Sequence, residues 1–163
     1  MRSFRVNREK KAGSYKLPQI FNGLENVPVL KKCINDPSML QNILLETNVT
    51  LTSDGTRYMH VDDEDGRIVV ALNYLREADD RYLYLDIIHE LIHVKQFLDG
   101  KELFDNSFDY VSRPTELEAY RCVVEEGRRL GMTDDDLIRY LYVEWISESE
   151  FARMLNTLGV TQS

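Results

Sequence analysis

Two histidines four residues apart, with a glutamate directly after the first, stand at His89-Glu90-Leu91-Ile92-His93. On an α-helix a four-residue step is just over one turn, so both imidazoles share a face. Each can then aim a nitrogen at one ion about 2.0–2.1 Å away. Glu90 flanks that face, too close along the chain to ligate the same ion but able to take a proton from a water that the ion activates. Imidazole nitrogens suit zinc, whereas magnesium and calcium prefer oxygen donors. The chain has three histidines, and the third, His60, falls on an expected strand, where it reads as structural or exposed.

The motif needs a helix, and the surrounding residues supply one. From Asp79 to Leu98 the apolar residues Tyr84, Ile87, Ile88, Leu91, Ile92 and Leu98 recur at three- and four-residue spacings. Asp79 and Asp80 suit its N-terminus and Gly100 its stop. A second helix opens at Thr115, just after Pro114, and runs through Ala119, Val123 and Val124 towards Leu130. Thr133 with Asp136, and Ser147 with Glu150, start two more, the last ending at Gly159. Upstream, Asp36-Pro37-Ser38 opens a helix to Leu45. Val49 and Leu51 alternate with threonines, Ser53–Thr56 is a turn, Arg57–Val61 resumes the alternation, and Arg67–Tyr74 is rich in β-branched and aromatic residues. The pattern predicts a meander of three antiparallel strands. The expected fold is therefore α+β: a small antiparallel sheet packed on the HExxH helix and a following helix, with a helical C-terminal extension at 133–163. Residues 1–163 form one domain with its chemical core at 47–130.

Composition narrows the setting. The chain has 163 residues, 43% hydrophobic and 29% charged, with a net charge of −8, which is ordinary for a globular protein. Residues 1–16 hold Arg2, Arg5, Arg8, Lys10, Lys11 and Lys16 against Glu9 alone. That local +5 leaves −13 on the remainder. The acidic body argues against a broad nucleic-acid footprint, so the basic arm is the only candidate for such contact. Cys33 and Cys122 match neither a metal knuckle nor a dense disulfide framework and read as two free thiols in a reducing compartment. No apolar run reaches membrane length, and a cytoplasmic protein is expected.

The segment Arg113-Pro114-Thr115-Glu116-Leu117-Glu118-Ala119-Tyr120, beginning 20 residues after His93, makes the chain resemble the gluzincin metallopeptidases, in particular the small soluble minigluzincins and the ImmA/IrrE-like proteases. In that group a helix after HExxH carries a glutamate ligand three residues before an alanine. The Glu116-x-x-Ala119 pattern implies Glu116 as third ligand beside His89 and His93. Glu118 is the rival, and it points roughly 200° away around the helix, so only one of the two can face the ion. Many gluzincins place an aspartate four residues after the ligand glutamate to hold a zinc-bound histidine; here that position is Tyr120. The resemblance also implies that Arg67–Tyr74 is an edge strand that binds extended substrate, near Ala71 and Asn73. Tyr110, Tyr120 and His60 are candidates for a group that stabilises the transition state.

The function so implied is that of a zinc-dependent metallopeptidase, a hydrolase of peptide or protein substrates, with Zn2+ held by His89, His93 and Glu116 and with Glu90 as general base. The alternative is a metallopeptidase-like regulatory or binding protein with a structural metal or a latent site, in which residues 133–163 cross the cleft and Glu148 or Glu150 fills the open coordination position.

Overall fold

The computed structural model describes all 163 residues, Met1–Ser163. Its elements run β1 Arg5–Val6, β2 Gly13–Lys16, α1 Leu17–Ile20, β3 Phe21–Asn22, α2 Pro28–Ile34, α3 Pro37–Glu46, β4 Asn48–Thr52, β5 Met59–Val61, β6 Ile68–Ala71 and α4 Leu72–Glu77. There follow α5 Asp80–Leu98, α6 Pro114–Arg129, α7 Asp134–Leu141 and α8 Glu148–Leu158, with a 3-10 turn at Tyr110–Ser112 before α6. The α+β class and the helical C-terminal part are as expected.

Helix α5 is the axis of the molecule. Leu83, Leu85, Ile87, Ile88, Leu91 and Ile92 are each fully buried, and at about 100° per residue they cover about 200° of the helix circumference. The remaining arc carries the buried polar residues His89, Glu90, His93 and Gln96, so the helix is enclosed on every side, one side of it polar. Asp79 caps it by accepting a hydrogen bond from the Arg81 backbone N–H, 2.8 Å. Helix α6 packs alongside, and the two are pinned where the Tyr84 hydroxyl donates to Glu126, 2.6 Å. Thr133 and Ser147 cap α7 and α8 in reciprocal capping boxes with Asp136 and Glu150.

The sheet departs from the expected meander. Its strand order is β2-β4-β6-β5, with β6 parallel to β4 and antiparallel to β5. The chain passes from β4 to the outer position at β5 and then returns to the middle. Burial explains the order: all four residues of β6 are buried, as a strand covered on both faces requires, whereas β5 leaves His60 exposed between Met59 and Val61. The edge strand is therefore β5, not Arg67–Tyr74. Asn73 and Tyr74 belong to helix α4. Gly66, at φ 76°, makes the β5–β6 turn under α5, where an added Cβ would lie 2.5 Å from the Phe97 ring.

The basic arm finds its place, and one further expectation, on the cysteines, is corrected. The basic arm is part of the fold: β2 pairs with β4, β1 pairs with β3, and Phe4 is buried, stacked on Phe21 and edge-on to Tyr84. Arg8 donates to the carbonyls of Leu75 and Ala78, at 2.7 and 2.9 Å, and pairs with Asp80 at 2.6 Å. Cys33 and Cys122 are not free thiols but a disulfide joining α2 to α6. They are 89 residues apart in sequence and meet because both helices pack beside α5. No helix is long and apolar enough to cross a membrane.

Candidate metal centre

His89, His93 and Glu116 come together as the sequence pattern implied. They form a buried group whose donor atoms all lie within 4.8 Å of one another, near enough to hold a metal ion. His89 Nε2 lies 3.0 Å from His93 Nε2, and Glu116 Oε2 lies 3.2 Å from the first and 3.5 Å from the second. A tetrahedral ion with ligands at about 2.0–2.1 Å sets neighbouring ligands about 3.3 Å apart, so the three donors already stand at ligand spacing. Glu116 Oε2, Glu90 Oε2 and His89 Nδ1 are buried without a hydrogen-bond partner, and the first of these is accounted for if it ligates a cation. The donor set fits a divalent ion with a taste for nitrogen.

A chain of hydrogen bonds fixes the His93 tautomer. Gln96 lies three residues on, on the same helix face, and is fully buried. Its amide nitrogen faces two acceptors, the Thr115 carbonyl at 3.0 Å and Glu118 Oε1 at 3.2 Å. Its amide oxygen must therefore be the atom at 2.7 Å from His93 Nδ1, which makes Nδ1 the donor and leaves the Nε2 lone pair for an ion. Glu118 thus sits behind the site, held from its other side by Lys101 at 3.4 Å, while Glu116 faces the histidines. Thr115, whose hydroxyl donates to the Leu103 carbonyl at 2.8 Å, anchors the first turn of α6 at this position. Nothing equivalent orients His89. Tyr120 lays its ring on that imidazole, centroids 4.4 Å apart, and directs its hydroxyl to Tyr110, 2.5 Å away.

Electrostatics follow from burial and from this trio. Burial disfavours a charged His93, but Glu116 outweighs it and lifts His93 to about 9. Burial likewise opposes ionised Glu116, and the two imidazoles overcome it, holding that carboxyl well below the usual range. Burial lowers His89. Without an ion the site holds a proton in its place, which a metal must displace. Burial raises Glu90 to about 8, against the pull of His93.

The trio lies in a cleft of about 480 Å³. One stripe of α5, Tyr82-Asp86-His89-Glu90-His93, runs along it, and β5 forms one bank with Met59, His60 and Val61. Seven of the nine tyrosines and the single tryptophan, Trp145, line it. From the C-terminal region, the chain between α7 and α8 reaches the cleft with Tyr142, Val143 and Trp145, and Glu144 ties that crossing down to Arg57 at 2.8 Å and to the Tyr58 hydroxyl at 3.0 Å. Glu150 instead caps its own helix through Ser147, and neither it nor Glu148 lines the cleft. A larger cavity, about 630 Å³ between α1 and α3, shares no lining residue with this one and holds no metal-ligating cluster.

The sequence reading missed Gln96 and Asp86. Both were findable from helical spacing, at three residues after His93 and three before His89. No protein-family model, curated protein or solved structure matches the chain.

Proposed function

We propose that this protein is a zinc-dependent metallopeptidase that hydrolyses peptide bonds in its tyrosine-lined cleft. One observation carries the reading: two histidines and a glutamate converge at ligand spacing beside a second buried glutamate with an unpartnered oxygen, all opening on an edge strand. A zinc ion held by His89, His93 and Glu116 would polarise the scissile carbonyl and make water a nucleophile near neutral pH. Glu90 takes the proton of the attacking water at Oε2 and passes it to the departing amine. Tyr110 and Tyr120, whose hydroxyls share a hydrogen bond in the same cleft, would supply the donor to the developing oxyanion. As the outermost strand of the sheet and one bank of the cleft, β5 can take up an extended peptide by strand addition.

Protein purified without an affinity metal should carry one zinc per chain by elemental analysis and cut a mixed peptide pool. Glu90→Gln should keep the zinc and lose at least about 10²-fold in rate. Zinc-free protein, or a Glu90→Gln variant as active as the parent, would sink the reading.

The Glu144 contacts favour a second reading, a latent peptidase strapped shut across the cleft. Truncation is not a clean test, because Met154, Leu155 and Leu158 of α8 are buried in the core. Glu144→Ala leaves the core intact; latency predicts a rise in cleavage rate, and an unchanged rate rejects it.

A further inference from the structure

Beyond the metal trio, the cleft continues one helical turn along α5 to Asp86. Its carboxylate accepts hydrogen bonds from the Tyr140 hydroxyl, 2.6 Å, and from the Tyr74 hydroxyl, and no lysine or arginine pairs with it. Arg139 also lines the cleft, but its guanidinium is tied to Asp136 at 2.6 Å. A carboxylate offers about four lone-pair sites, and two neutral donors leave room and charge for a cation. The walls suit the same guest. Tyr82 meets Tyr140 edge to face at 5.3 Å, and Tyr58 meets Tyr74 in the same way at 5.2 Å, so the two tyrosines that touch the carboxylate through their hydroxyls are each backed by a second ring that lines the cleft. Aromatic faces around an anion are the chemistry that recognises ammonium and guanidinium groups. The acidic body draws such groups in from solution.

We propose that Asp86 and its tyrosines form a specificity pocket for a lysine or arginine side chain of the substrate, a conclusion that rests on the peptidase reading. Asp86 stands three residues before His89 and seven before His93, a rise of about 4.5 to 10.5 Å along the helix. An extended peptide advances about 3.3 Å per residue, so the basic residue lies within about three positions of the bond that is cut. Asp86 and Tyr82 are binding residues here, with no part in the proton transfers assigned to Glu90.

The test uses zinc-loaded Glu90→Gln protein and two fluorescein-labelled decapeptides of alanine and glycine, identical except for a central lysine or norleucine. Fluorescence anisotropy should show the lysine peptide binding about 10- to 100-fold tighter, the range of a hydrogen bond to a charged group. Asp86→Asn in the same background should abolish the difference. Tyr82→Leu, which removes a ring but no hydrogen bond to Asp86, should reduce it and serves if the asparagine variant does not fold. Equal affinities, or a preference that survives both substitutions, overturn the pocket. In parallel, wild-type protein is given a mixed peptide pool and its cut sites are read by mass spectrometry. Cuts with lysine or arginine enriched at one fixed position support the pocket. Cuts without that bias overturn it and leave the peptidase standing. An uncut pool together with an Asp86-dependent lysine preference in binding overturns hydrolysis and supports the pocket.

Discussion

Helix α6 buries two glutamates ten residues apart, and the fold neutralises them in opposite ways. Glu126, 0% exposed, accepts the Arg129 fork at 2.6 and 2.8 Å and the Tyr84 hydroxyl at 2.6 Å. All its partners are fixed parts of the chain, and they hold α6 against α5. Glu116, 6% exposed, has no arginine or lysine. It faces two imidazoles whose charge depends on a proton or a metal, and one of its oxygens has no hydrogen-bond partner. A buried carboxylate that carries its own cation is a structural joint. One that lacks a cation is a site for something that arrives from solution.

The comparison breaks first at Glu116. Structural zinc sites are worth roughly 10 kcal/mol or more shared among their ligands, so the loss of one ligand costs several, about a thousandfold in metal affinity. Glu116→Gln should show that loss in zinc titration, while the urea midpoint of the metal-free protein moves little at pH 10, above the value of about 9 at which His93 gives up its proton and its pairing with Glu116. A large fall in metal-free stability would make Glu116 a joint like Glu126.

The reverse holds for Arg129→Met. Stranding Glu126 without its cation should remove about 2–3 kcal/mol at pH 7, below the usual ~3–5 for a fully enclosed pair because Arg129 is half exposed. Zinc affinity should stay as it was. The pH dependence has a definite sign. Burial opposes ionised Glu126, but Arg129 and Tyr84 prevail and hold its pKa below the ordinary 4.5, so the stabilisation is present above that value and is lost as pH falls through the folded pKa. Urea melts of parent and variant should therefore differ most at pH 7 and draw together as pH falls below 4.5. A gap that persists in acid would remove the charge from the explanation.

What could be read from the sequence was local. The caps at Asp79, Thr133 and Ser147, the stop at Gly159 and the shared helix face of His89 and His93 all follow from interactions within a few residues. Glu116 and Glu118 could be ranked only by likeness to a family pattern, because both sit on the same turn and the choice is made by helix α5. The rest depended on distant pairing. Whether β5 or β6 lay at the edge is decided by what covers β6, and the disulfide by the meeting of α2 and α6. The docking of the basic arm rests on Phe4, whose burial against Phe21 and Tyr84 is a long-range contact that the arm's own residues do not announce.

Glu118 is the finest test of the contrast between joint and site, since it belongs to neither. It orients Gln96, and Gln96 orients His93, so effects should weaken outward along the chain of hydrogen bonds. Gln96→Leu removes the acceptor for His93 Nδ1 and frees the ring to adopt the other tautomer, which should weaken zinc binding about 10- to 100-fold, the usual range for an outer partner of a ligating histidine. Glu118→Gln still offers an oxygen to the Gln96 amide, and its half-exposed side chain lets water replace what is lost. Its effect should be about threefold at most. Competition against a chromophoric chelator resolves all three positions in one series, Glu116 above Gln96 above Glu118. If Glu118→Gln instead lost zinc as completely as Glu116→Gln, the two glutamates would have to exchange places around α6, and the His93 tautomer argument would fail with them.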